Sequence, residues 1–271
     1  KAFSEKMRPS MLLLTDSFYS GAATVSTLLA VSLLAMNWHW WSTYILALGA
    51  TALLILLAAV SKYPARQQLQ AQGAEIDHDS AHGWPISVYL CGLCLLVYLL
   101  GLVTIYSWVP NYAQASLGMD QASAGNLVGR MFSGMFFGQL VMFILVLKLP
   151  VRILIFICLV AACYMTSTLW GEHGFASVES SMFALGLVGG GVLKVGISYG
   201  TTLTKSPSPK MVSYLLFNTA LGTAIAPALS SWVVETAGLE SVIMFASACY
   251  GLSCILLLLT FLTAAAQKTA I

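Results

Sequence analysis

The sequence predicts an all-α integral membrane protein of about eight transmembrane helices, and three observations carry that prediction. Of the 271 residues, 59% are hydrophobic and 8% are charged, whereas a soluble domain carries about 25% charged residues. The apolar residues gather in runs of about 20, the length a helix needs to cross the hydrocarbon core. Apart from Arg130 and Lys194, every Lys and Arg falls in alternate connections between those runs, which is the sidedness expected of a multi-pass membrane chain.

The runs cover residues 11–35, 42–61, 86–109, 122–147, 153–169, 178–204, 211–234 and 242–266. Backbone groups in lipid must pair within their own segment, so runs of this length read as helices. Alternating segments of about ten residues, the pattern of a transmembrane barrel, are absent. The first run carries Asp16, the fourth Arg130, the sixth Lys194 and the seventh Asn218.

The connections set the orientation. Lys1, Lys6 and Arg8 precede the first run, and Lys62 and Arg66 follow the second. Lys148 and Arg152 separate the fourth from the fifth, Lys205 and Lys210 the sixth from the seventh, and Lys268 closes the chain. The opposite connections hold Asp120, Glu172, Glu235 and Glu240 and no Lys or Arg. The positive-inside rule then places both ends in the cytoplasm of an inner, or plasma, membrane. Trp38, Trp40 and Trp41 crowd the first outer turn, where aromatic residues anchor a helix at the interface.

The longest polar stretch, 62–84, is charged and rich in Gln and Ala. It reads as a cytoplasmic linker between two helices in 1–61 and a six-helix unit in 85–271. Six helices on each side of such a linker is a common carrier plan, so four further helices are expected ahead of Lys1.

Local motifs fit that plan. LLLTDSFYS (12–20), SWVPNYA (107–113), LGMDQASAGNLV (117–128) and TKSPSPKMV (204–212) resemble the TsgA-type transporters of the major facilitator superfamily, close to its fucose/galactose permease branch. The resemblance runs over nearly the whole chain and implies that it corresponds to helices five to twelve of a twelve-helix carrier. GGGVLK (189–194) departs from that pattern, and KLPVR (148–152) matches a much reduced copy of the superfamily's signature loop. The resemblance implies a secondary transporter that works by alternating access. It also implies that the first helix here packs against the fourth, bringing Asp16 toward Lys148 or Arg152 as a cytoplasmic gate.

Ionisable groups inside the membrane are functional candidates by default, because each costs at least about 2.5 to 3.5 kcal/mol at mid-helix. Arg130 shares a helical face with Ser123, Asn126, Ser133 and Gly134, as a substrate clamp or as a bridge to a neighbouring helix. Lys194 shares one with Gly190, Gly191, Ser198 and Thr201, and reads as an anion-attracting or titrating lysine, or as a tether to a carboxylate. Asn126, Asn218 and Tyr106 add hydrogen-bonding capacity, with helix-to-helix bonding as the competing role. Glu179 and Glu235 sit at outer helix ends.

Other chemistries find little support. The six cysteines all lie in apolar runs, where a free thiol behaves as a small apolar residue, and the four histidines are scattered. No metal, cofactor or nucleotide-binding loop is predicted. An intramembrane enzyme would need paired carboxylates or a nucleophile with its base at one depth, so the chain reads as no enzyme. The expected partners are the lipid bilayer, a small polar solute and a coupling ion such as the proton, with no nucleic acid, in a monomer. A toxic-compound exporter of the same fold, or a scaffold left by truncation, are the alternatives.

Overall fold

The computed structural model describes residues 8–39, 41–61, 83–171, 175–204 and 208–269. The stretch 62–82 of the expected linker therefore lies outside the described residues, as do Lys1, Lys6, Trp40, Glu172 and Lys205. Every regular element among the described residues is helical, and none of them is a strand. In order they form α1 (Arg8–Ala35), α2 (Ser42–Val60), α3 (Ile86–Leu117), α4 (Gln121–Lys148), α5 (Val151–Thr168), α6 (Phe175–Gly189), α7 (Val192–Thr201), α8 (Pro209–Ala237) and α9 (Ser241–Thr269), with a short 3-10 turn (Leu169–Gly171) after α5. Seven stretches of the described residues are long and apolar enough to cross a membrane, with α6 and α7 together making one of them. At 28 residues, α1 is long enough for an eighth crossing. The chain is a multi-pass membrane protein.

Helix ends follow local chemistry. Asp120 caps α4, its carboxylate accepting the Ser123 amide N–H at 3.0 Å, and Ser208 caps α8 through the Met211 amide with Pro209 in the first turn, the position where a missing N–H costs nothing. The third run continues past the expected end at 109, through Pro110 to Leu117. It stops at Gly118, whose φ of 66° is the left-handed conformation that closes helices. The expected loop 110–117 is therefore helix.

The sixth run is not one helix. It breaks between α6 and α7 at Gly190 and Gly191. Three successive glycines, 189–191, favour the break, since glycine is a poor helix former. Packing also requires small residues there: a Cβ on Gly190 would lie 2.8 Å from the Met135 carbonyl, and one on Gly191 would lie 2.7 Å from the Met142 side chain.

The core gathers around α3, which is apolar on every side and buried along most of its length, as expected of such a helix. It contacts α4, α7, α8 and α9. Gly222 lets α8 approach the Leu96 carbonyl of α3, and Gly101 lets α9 approach α3. The closest crossing joins α4 to α6. Gly134 and Gly138 face the carbonyls of Phe183 and Leu187, and Gly186 faces that of Met131, so closely that no Cβ fits at any of the three. This is the small-residue packing by which membrane helices associate. Helix α1 lies along α4 and also touches α7, as the resemblance implies for these two helices. Helix α2 leaves nearly every residue exposed. All six cysteines are free thiols, and four of them are buried.

Candidate functional site

The break in the sixth span organises the site. A helix end leaves carbonyls without intrahelical partners, and burying them unpaired in a membrane is costly. Here two buried side chains supply the donors. Tyr98 Oη on α3 donates to the Gly189 carbonyl at 2.7 Å, and Gln139 Nε2 on α4 donates to the Gly190 carbonyl at 3.1 Å.

Gln139 Nε2 also donates to Asp16 Oδ2 on α1 at 2.8 Å. Asp16 Oδ1 in turn lies 3.1 Å from Lys194 Nζ, in the first turn of α7. Four elements thus meet in one cluster: α1 brings the carboxylate, α4 the amide, α7 the ammonium and α3 the phenol. The three residues of the Asp16–Gln139–Lys194 chain lie at one depth. Asp16 is eight residues from the start of α1, Gln139 nine from the end of α4 and Lys194 seven from the end of α7, roughly 10 to 13 Å from the helix ends that bear the basic connections. Side-chain exposure is 18% for Asp16 and 25% for Lys194, so the pair is partly accessible, while Gln139 is buried.

The structure gives Asp16 other partners than those expected. Lys148 is the last residue of α4, nine residues beyond the level of Asp16 and Gln139, so it is roughly 13 Å away along the axis. Arg152 turns its guanidinium over the Phe261 ring, 4.4 Å from the centroid. The charge facing Asp16 is Lys194, within this chain.

Arg130 also has a carboxylate partner, Glu179, which bridges α4 to α6 near the opposite ends of these helices. The Arg130 side chain is half exposed and that of Glu179 mostly covered. Both intramembrane cations are therefore paired. The other candidates stand apart from the cluster. Asn126 is half-buried one turn before Arg130. Asn218 is buried and donates to the Tyr214 carbonyl of its own helix at 2.8 Å. Tyr106 packs against Phe132, with ring centroids 6.0 Å apart, while nearby Trp108 Nε1 donates to Ser230 Oγ at 2.8 Å and fastens α3 to α8.

Sequence reasoning passed over Gln139 and Tyr98. The available signal was a lone amide in the apolar run GMFFGQLVMFILV (134–146) and a lone phenol in CLLVYLLGLV (94–103). Each is a polar group in hydrocarbon that needs a partner.

No protein-family model matches the chain. Among curated proteins it is 28% identical over 265 residues to the TsgA homologue of Erwinia tasmaniensis, an alignment that covers 94% of this chain and 65% of that one. It is 27% identical over 251 residues to the TsgA homologue of Buchnera aphidicola, covering 92% and 63%. It is 29% identical over 250 residues to TsgA of Escherichia coli, covering 92% and 62%. The chain thus spans somewhat less than two thirds of the length of these relatives. Among solved structures, the major facilitator superfamily transporter FucP in its outward conformation superimposes with a TM-score of 0.60 at 15% identity, covering 81% of this chain and 54% of that one. Over most of its length the chain is similar to these TsgA proteins, and it shares the helical fold of a major facilitator superfamily transporter.

Proposed function

We propose that the complete protein is a secondary transporter that moves a small polar solute across the inner membrane by alternating access, coupled to an ion. The observation that carries this reading is the charged cluster seated on a broken helix. Discontinuous helices whose ends meet charged groups are a recurring design of transporter sites. The fold shared with FucP supports the same reading.

On this reading, 1–61 supplies the last two helices of one half, 62–84 the linker and 85–271 the other half, with both ends of the chain in the cytoplasm. Asp16 then belongs to one half, and Lys194 and Gln139 to the other. Their contacts form and break as the halves rock, so Asp16 serves as a gate residue, with Lys194 as its partner. Lys148 and Arg152 flank the short α4–α5 connection at the cytoplasmic rim. Arg130, Asn126, Asn218 and Tyr106 remain candidates for contact with the solute.

The test is uptake into liposomes by the full-length native protein, with labelled sugars, carboxylates and toxic cations offered in turn. One class is expected to enter, and Lys194→Ala is expected to lower the rate at least tenfold, with a smaller loss for Arg130→Ala. If no member of the panel is carried, the transporter reading fails.

A further inference from the structure

We propose that the Asp16–Lys194–Gln139 site takes up one small organic anion and one proton together, the anion on Lys194 and the proton on Asp16. This rests on the transporter reading and names its substrate class and coupling ion.

The cluster is neutral as it stands, with one carboxylate and one ammonium. The two break carbonyls are already occupied by Tyr98 and Gln139. The reachable donor is the Lys194 ammonium, whose side chain is a quarter exposed. An incoming carboxylate competes with Asp16 Oδ1 for that ammonium. If it displaces an ionised Asp16, the site holds two negative charges and one positive charge away from bulk water. An uncompensated buried charge is strongly destabilising. A proton on Asp16 removes it.

The amide of Gln139 suits that protonated form. Both groups that face its Nε2, Asp16 Oδ2 and the Gly190 carbonyl, are acceptors in this structure. That fixes which end of the amide is the nitrogen. Its other end, Oε1, is a buried acceptor with no partner among the described residues, on a side chain 2% exposed. A carboxylic acid complements a primary amide by two hydrogen bonds. One, Nε2–H to Oδ2, is present. The second, Oδ1–H to Oε1, needs a proton on Oδ1 and the departure of Oδ1 from Lys194. The orphaned acceptor is therefore filled by the one event that also frees the ammonium.

The charges balance. The anion adds one negative charge and the proton one positive. Asp16 passes from carboxylate to acid, Lys194 stays an ammonium, and the proton comes from water on the side where the anion enters. The surroundings hold few competing groups. Besides Lys194 on α7, Tyr98 of α3 lies within electrostatic reach of Asp16, with its hydroxyl committed to Gly189. The charged residues of α4, Arg130 and Lys148, are each nine residues from Gln139, roughly 13 Å along the axis. Helix α2 carries no Asp, Glu, Lys, Arg or His, and α1 itself adds only Arg8 and Tyr19.

The experiment uses the full-length native protein in weakly buffered detergent solution. Lactate, gluconate and glucuronate are added separately, with glucose as the neutral control, while binding heat and pH are recorded together. At least one carboxylate is expected to bind with uptake of about one proton, its Kd weakening about tenfold per pH unit above neutrality, as linkage to one proton requires. Asp16→Asn, whose side chain mimics the neutral acid, is expected to bind the same anion at a pH-independent Kd without proton uptake. Asp16→Glu is expected to keep the proton uptake, and it decides the matter if Asp16→Asn does not fold. Anion binding without proton uptake, proton uptake that survives in Asp16→Asn or is lost in Asp16→Glu, or no binding of any carboxylate overturns the inference. If glucose alone binds and is carried, the transporter reading stands while this inference falls. If nothing is carried in the uptake assay, the transporter reading itself falls.

Discussion

Lys194 and Arg130 each bring a full charge into an apolar span, and each finds a carboxylate on another helix. The two pairs differ in setting. Arg130 is half exposed, so its pair with Glu179 ranks with exposed pairs, worth about 1 kcal/mol or less. A double-mutant cycle on Arg130→Ala and Glu179→Ala, read by thermal unfolding in detergent, is expected to give a coupling in that range; a value several times larger would mark the pair as buried. Tyr98 is fully buried and caps Gly189. Tyr98→Phe keeps the ring and strips the carbonyl of its donor, so a loss of about 1 to 3 kcal/mol is expected. Equal stability of the variant and wild type would mean that water fills the gap. At the start of α4, hydrogen bonds from the Ser123 hydroxyl and then from its amide hold the Asp120 carboxyl below its ordinary value. A folded-state value below the unfolded one means that the cap stabilises α4 at neutral pH and is lost as pH falls through the folded value. Amide exchange at Ser123, corrected for its intrinsic rate, should therefore speed up in Asp120→Ala at pH 7, and wild type should approach the variant only in strong acid.

At the level of elements, the glycines of α4 and α6 decide how closely the two helices pass, and that spacing sets where Gln139 meets the break. Gly186 faces the Met131 carbonyl, which cannot move aside as a flexible side chain can. Gly186→Val is expected to cost about 1 to 3 kcal/mol by overpacking, with a lower midpoint of thermal unfolding. Gly49 has nothing within 4 Å of a new Cβ, so Gly49→Ala is the matched control and should leave the midpoint unchanged or slightly raised, alanine being the better helix former. The break itself shows how one sequence feature takes its meaning from its neighbours. Three glycines weaken a helix anywhere, yet the carbonyls they release are tolerated here because Tyr98 and Gln139 arrive from two other helices.

At the scale of the whole molecule, α3 is central because α4, α7, α8 and α9 all pack on it, and α1 reaches the site only because it lies along α4. Helix α2, equally apolar but exposed along nearly its whole length, shows that an all-round apolar helix in a membrane protein need not be a core helix, since lipid solvates it as well as protein does. The alternating placement of basic connections carries an expectation for the intact molecule. A fluorescent reporter fused after Ile271 should light up in the cytoplasm, and an alkaline phosphatase fused there should stay inactive. Active phosphatase would reverse the proposed orientation.

The helices and their approximate bounds were legible in the sequence, because span length and the exclusion of unpaired backbone from lipid are one-dimensional rules. So was the oddity of Lys194 among glycines, since the cost of an unpaired ammonium in hydrocarbon can be read from residue type and depth. The partners were not legible. Asp16 lies 178 residues before Lys194, and Gln139 sits in a different run from either; no periodicity links them. Only the packing of α1 on α4, and of α4 on a broken α6–α7 span, places carboxylate, amide and ammonium at one depth. The expectation paired Asp16 with Lys148 of α4 or Arg152 of α5, whereas the structure sets it against Gln139 of α4 and Lys194 of α7. Sequence determined which charges must find partners; tertiary structure decided which ones they found, because a hydrogen bond or ion pair forms only between groups a few ångströms apart in space, whatever their separation along the chain.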